Sequence, residues 1–264
     1  MGSIRSTGRR STSRKGTGAQ KAKRGTTRNS AGGKRKKGPR PFRSALRWGA
    51  VACAAAVFVS IALVLPWRWF APPTSAFMLR EQFTGDSGEV RYQWTSWENI
   101  SPHLALAVVA AEDQKFPHHF GFDFESIADA LEESAGRRRG ASTITQQVAK
   151  NLFLWPGRSY FRKGVEAYLT VLIESLWTKR RILEIYLNVA EFGPGTFGAE
   201  AAGRRFFGKP ARRLSPWEAS LLAAVLPSPK RMSADRPSAY VRGRARDIRA
   251  WMRKLGGERY LKAI

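Results

Sequence analysis

Three regimes of hydrophobic patterning divide this chain. Residues 1–47 are rich in Gly, Ser and Thr and have almost no large apolar side chain before Phe42. The run GAVACAAAVFVSIALVLP, which follows Trp48, is apolar on all faces and uncharged, with Arg47 before it and Arg68 after it. A spanning helix needs about 20 mostly apolar residues. Trp48, Trp67 and Trp69 stand at the two ends, where interfacial aromatics belong. A cleaved signal peptide has a shorter apolar region and a compact basic start. The pattern therefore predicts one transmembrane helix over residues 48–70.

After the link Ala71-Pro72-Pro73, the stretch FMLREQFTGDSGEVRYQWTSW carries a turn cluster at Gly85-Asp86-Ser87-Gly88. Val90, Tyr92 and Trp94 alternate with polar residues, so a small β-hairpin is expected here. From Ser101 the spacing turns helical. Ser101 reads as an N-cap, Pro102 as the first helical residue, and Leu104, Ala107, Val108 and Ala111 as an apolar stripe. Ser215-Pro216-Trp217-Glu218 is a capping box ahead of an apolar run that Pro227 ends. Leu172 to Asn188 is helical in spacing, and the basic stretch after Ala239 is expected to be helical too. The globular part, residues 71–264, should be mainly α.

Charge sharpens the division. The chain of 264 residues has 46 Lys and Arg against 20 Asp and Glu, a formal net charge of +26. Sixteen of the basic residues lie in residues 1–47, where no acidic residue occurs. Such a segment cannot bury enough surface to offset chain entropy, so a disordered basic tail is expected. A nucleic-acid arm is the rival reading of that charge. The membrane helix behind it favours a cytoplasmic tail lying on anionic lipid, with everything after Trp69 on the other side. Cys53 is the single cysteine, and His103, His118 and His119 are the only histidines. An internal disulfide framework and a Cys-based zinc site are excluded. What remains is carboxylate, hydroxyl and cation chemistry.

Candidate chemistry sits in separate stretches. Glu112 and Asp113 are adjacent carboxylates closing an apolar helix. Helical neighbours point about 100° apart, so one can face a cleft while the other braces the turn. Partial desolvation would raise a carboxyl pKa towards the range of a general base. The plainer alternative is an ordinary exposed helix end. Ser142, Gln146 and Gln147 lie in a run of hydroxyls and amides suited to sugars or phosphates, or else in a solvated turn. From Leu152 to Glu166 large apolar residues crowd beside Arg and Lys, as in a segment lying at a membrane surface. Arg162 and Glu166 are also spaced for a helical salt bridge.

Taken in order, these stretches form a pattern. E-D-x-x-F-x-x-H-x-G from Glu112 to Gly121 is followed by G-x-S-T-I-T-Q-Q from Gly140 to Gln147. R-K-x-x-E from Arg162 to Glu166 and K-x-x-I-x-E-x-Y-L-N from Lys179 to Asn188 complete it. The series resembles the peptidoglycan glycosyltransferases of family 51, whose transglycosylase domain also occurs in bifunctional penicillin-binding proteins. The resemblance covers residues 90–252. It implies a lysozyme-like, mainly α domain that polymerises lipid II into glycan strands and releases undecaprenyl pyrophosphate. After the membrane helix there is no S-x-x-K and no K-T-G, so the monofunctional kind is expected.

By the resemblance, Glu112 is the catalytic base and Glu166 the second essential glutamate. Lys150 and Arg158 bind pyrophosphate, with Arg162 and Lys163 close by. Ser142, Gln146 and Gln147 hold sugar or phosphate groups. Asp113, His119, Glu184 and Asn188 are scaffold around the cleft. No cofactor and no metal site is implied, and a divalent cation at the pyrophosphate is left open. The implied partners are lipid II, the growing lipid-linked glycan chain and membrane lipids, with room for cell-wall synthesis or division proteins and none for nucleic acid. The place is the inner membrane, single-pass, with the catalytic domain on the periplasmic side. A lysozyme-like lytic glycosidase, working with a carboxylate pair, is the rival reading.

Overall fold

The computed structural model describes residues 41–85, 88–125, 128, 142–157 and 159–264. By its internal contacts the chain divides into residues 1–49 and residues 50–264. Of the first unit only the opening of helix α1 (Pro41–Val64) falls among the described residues. The rest of the basic tail lies outside them. Ser44–Arg68 is long and apolar enough to cross a membrane.

In the second unit, α1 gives way to one 3-10 turn, Leu65–Arg68. Val64 is fully buried, and its carbonyl accepts the Trp177 indole N–H at 3.2 Å. Arg181 fixes the following link, donating to the carbonyls of Trp67 (2.8 Å) and Phe70 (2.6 Å). The helices that follow are α2 (Ala76–Thr84), α3 (Pro102–Glu112), α4 (Ile144–Phe153), α5 (Tyr160–Leu176) and α6 (Lys179–Val189). After the strands β2 (Glu191–Gly193) and β3 (Thr196–Phe197) come α7 (Ala199–Phe207), α8 (Pro216–Val225) and α9 (Ala239–Lys254).

Helix α3 organises the core because it has no polar face. Every residue from Leu104 to Ala110 is buried, and such a helix has no stable place except between others. Leu104, Leu106, Val108 and Val109 each gain about 1.5–3 kcal/mol by leaving water, so α3 is costly to displace. It packs on α8, itself buried from Ala219 to Val225, and on α9. The small side chains of α3 and α8 let these helices approach closely. Helix α4 packs between α5 and α6.

The sheet corrects one expectation. Among the described residues the predicted hairpin is not found. Its first half is helix α2, started by the Ser75 hydroxyl accepting from Met78 N (3.2 Å) and ended by Gly85 in the left-handed region. Serine and glycine there are helix punctuation, which outweighed the turn cluster. The second half supplies only β1 (Arg91–Tyr92), which pairs parallel with β3, far along the chain. The hairpin in this sheet is β2–β3, with a bulge, and the strand order is β1-β3-β2.

Two helical expectations are also refined. Ser101 precedes α3 as predicted, but its hydroxyl donates to Leu214 O (2.9 Å) instead of capping. The spacing from Leu172 to Asn188 belongs to two helices, parted where Trp177 is extended and Thr178 caps α6. The capping box of Ser215 and Glu218 and the C-terminal helix α9 stand where the sequence places them.

Candidate active site

Glu112 is the last residue of α3, so the helix that is costly to displace carries the carboxylate. Burial pushes its pKa up. A hydrogen bond from Gln147 and the charges of Arg244 and Lys150 oppose that rise. Gln147 Nε2 donates to Glu112 Oε2 at 2.8 Å, and Arg244 Nη2 lies 3.8 Å from Oε1. The result is a desolvated carboxylate that still has donors aimed at it, the environment a general base needs.

Asp113 turns the other way, as the helical geometry requires. One oxygen meets His119 Nε2 at 2.8 Å and the other accepts Ile144 N at 2.9 Å. It thereby ties the end of α3 to the start of α4. Thr143 caps α4, with Gln146 closing a capping box. The Thr143 hydroxyl donates to Gly121 O (2.7 Å). Gly121 has φ +76°, and a Cβ there would sit 2.6 Å from Thr170 Cγ2, so only glycine fits. Helix α4 is thus set so that Gln147 faces Glu112 and Lys150 lies one turn further on.

Glu166 is buried on α5. Arg162 Nη1 donates to it at 3.0 Å and Lys163 Nζ contacts its other oxygen. Lys150 is the electrostatic centre. Burial is the first cause of its lowered pKa, with Arg162 and Lys163 adding to it, while Glu166 and Glu112 both act to raise it. Both candidate glutamates therefore act on one ammonium group. Among the described residues no carboxylate oxygen lies within ion-pair distance of Lys150 Nζ. A half-buried cation without an ion pair, flanked by two more cations, suits a polyanionic group.

The Transglycosylase family matches the chain over residues 80–253. The chain belongs to this family. Similar transglycosylases cover most of its length. One, named biosynthetic peptidoglycan transglycosylase, from Pseudomonas putida strain GB-1, is 56% identical over 211 residues, 78% of this chain and 89% of the relative. Another of that name, from Xanthomonas campestris pv. campestris strain B100, is 51% identical over 232 residues, 85% of this chain and 94% of the relative.

Within this transglycosylase, the structure brings Glu112, Gln147, Lys150, Arg162, Lys163 and Glu166 into one charged cluster. Arg158 lies outside the described residues. Ser142 is exposed beside the Thr143 cap. Gln146 has a different task from the one expected, because its side chain is buried and accepts from Thr143 N at 3.0 Å. Glu184 and Asn188 both bond to the segment before α3. Glu184 accepts from Trp97 N (2.8 Å), and Asn188 bonds Thr95 through both its oxygen and its nitrogen (2.8 and 2.9 Å). Among the described residues no cluster of three or more His, Cys, Asp or Glu is arranged for a metal ion.

Sequence reasoning missed Arg244 and Tyr186. Arg244 is one arginine among many in a basic helix, and nothing in its spacing marks it. Tyr186 enters the sequence reading only as the tyrosine of the K-x-x-I-x-E-x-Y-L-N motif, although its hydroxyl reaches Gln147 Oε1 at 3.1 Å.

Proposed function

We propose that the chain is a membrane-anchored peptidoglycan glycosyltransferase that polymerises lipid II, with Glu112 as general base. The acceptor's 4-hydroxyl gives its proton to Glu112 as its oxygen bonds to the anomeric carbon of the lipid-linked donor. The bond from that carbon to the pyrophosphate breaks, the configuration inverts, and undecaprenyl pyrophosphate leaves. Lys150, Arg162 and Lys163 carry the charge that develops on the leaving group, where burial strengthens their effect. Glu166 holds Arg162 and Lys163 in place for that task. The observation that carries this reading is Lys150, half-buried, without an ion pair among the described residues, and acted on by both Glu112 and Glu166.

The helix spanning Ser44–Arg68 supports anchoring. We place the basic tail in the cytoplasm and the catalytic domain on the periplasmic face of the inner membrane, because the charge excess precedes the helix. Tyr160 and Phe161 are exposed at the start of α5, and Trp155 is exposed just before it. They offer a polyprenyl chain an apolar approach from the bilayer. A lytic glycosidase would have no use for this set of cations, since hydrolysis of a neutral glycosidic bond develops no diphosphate charge.

The test gives the purified full chain either lipid II or finished glycan strands. Consumption of lipid II with chain growth is expected, and cleavage of finished strands instead would establish the lytic reading. Glu112→Gln should lower polymerisation by about 10²–10⁴-fold, the usual contribution of a positioned base. Chain growth at the wild-type rate in that variant would reject the assignment.

A further inference from the structure

The hydroxyl of Tyr186 gives the site a feature that its motif does not announce. Tyr186 is 1% exposed on α6, yet its phenol is not idle. It donates to Gln147 Oε1 at 3.1 Å, and Gln147 Nε2 in turn donates to Glu112 Oε2 at 2.8 Å. The chain of bonds has a direction. An amide has one accepting end and one donating end. A phenol donating to the amide oxygen leaves the NH₂ for the carboxylate. The reverse orientation would set an amide oxygen against an ionised carboxylate, which is repulsive in a site of low dielectric.

We propose that Tyr186 is a positioning residue: its hydroxyl fixes the Gln147 amide with the NH₂ towards Glu112, so that Glu112 is held ionised and able to take a proton. The inference rests on the reading of Glu112 as the base. It explains how a carboxylate at the end of a buried helix avoids staying protonated. Burial raises the pKa of Tyr186 well above its ordinary value, with Glu112 and Asp113 adding to the rise, so the phenol keeps its proton and remains a donor. The other charged groups around Glu112 come from separate elements: Asp113 next to it, Lys150 on α4 and Arg244 on α9. None of these can orient the amide, because none is bonded to its oxygen.

The consequence is a pH signature. Without the hydroxyl, the Gln147 amide is free to turn over. Its oxygen then accepts from a protonated Glu112 and favours that form. Tyr186→Phe should therefore move the acid limb of kcat for lipid II polymerisation upwards by about one pH unit. On that limb the loss is about tenfold, and it closes at higher pH, with KM within about twofold of the wild type. Gln147→Met removes the donor outright and should move the same limb in the same direction. The double variant should move it no further than Gln147→Met alone, since Tyr186 acts only through the amide.

The experiment measures kcat and KM against pH for the full chain in lipid–detergent micelles, with thermal unfolding of each variant alongside. An unmoved acid limb in Tyr186→Phe, a loss equal at every pH, or additive shifts in the double variant would overturn the proposal. If Tyr186→Phe does not fold, Gln147→Met decides alone, and an unmoved limb in it is equally fatal. Polymerisation by Glu112→Gln is a different outcome: it removes the base assignment, whereas an unmoved limb with an inactive Glu112→Gln removes only the relay.

Discussion

At the residue scale the site turns on how two charged side chains bear their burial. Glu112 is desolvated but meets Gln147 and Arg244, so burial and donors compete for its proton. Activity that needs the ionised form is lost as pH falls through a pKa lying above the ordinary glutamate value. Lys150 is pushed the other way, towards easier loss of its proton, by burial and by Arg162 and Lys163. A departing diphosphate would reverse that push, because an anion beside an ammonium favours the charged form. Lys150→Met should cost about 10²-fold in kcat/KM for lipid II, comparable to losing one preorganised donor at a developing anion. Initial rates over a range of lipid II concentrations measure it, and a loss below about threefold would show that the ammonium is a bystander.

At the element scale the important fact is that α3 and α4 are joined by side chains and not by packing alone. Asp113 reaches from the end of one helix to the first amide of the other, and Thr143 bonds Gly121 across the same junction. Gly121→Ala should destabilise the domain by about 2–4 kcal/mol, from left-handed strain and the clash with the Thr170 methyl. Adding Thr170→Ser removes that methyl and should return part of the loss, leaving the backbone strain. Denaturant unfolding of the single and double variants checks both halves. Much at this scale was legible in advance, because capping signals and runs apolar on all faces are local. Helix α3, the capping box of α8 and the basic α9 all followed from spacing. The sheet did not. Strand β1 has only Arg91 and Tyr92, and its partner is set by tertiary contact with β3, which no local pattern encodes. Arg244 was hidden for the same reason, since its approach to Glu112 depends on how α9 crosses α3. Gln146 and Gln147 look alike in sequence, and only their helical angle gives one to the cap and the other to the carboxylate.

At the scale of the whole molecule the chain joins a basic tail, an apolar helix and a mainly helical catalytic body. The charge of residues 1–47 is far in excess of what the site uses, so catalysis should not depend on it. Removing residues 1–38 should leave polymerisation of lipid II in micelles within about twofold of the full chain. Binding to vesicles rich in anionic lipid should weaken by about 1 kcal/mol for each basic residue that lay near the surface. Loss of catalysis on truncation would give the tail a role in the reaction itself.

Glu112, the proposed base, stands at the tip of a helix whose residues from Leu104 to Ala110 are all buried. The stretch from Leu104 to Ala110 has little room to vary, because each of its positions is already committed to close packing. The groups beyond α3 that act on the acidity of Glu112 include Gln147 and Lys150 on α4 and Arg244 on α9, with Tyr186 on α6 bonded to Gln147. Adaptation to a more acidic or more alkaline surrounding would therefore be recorded on those neighbours, while the helix that bears Glu112 stayed constant.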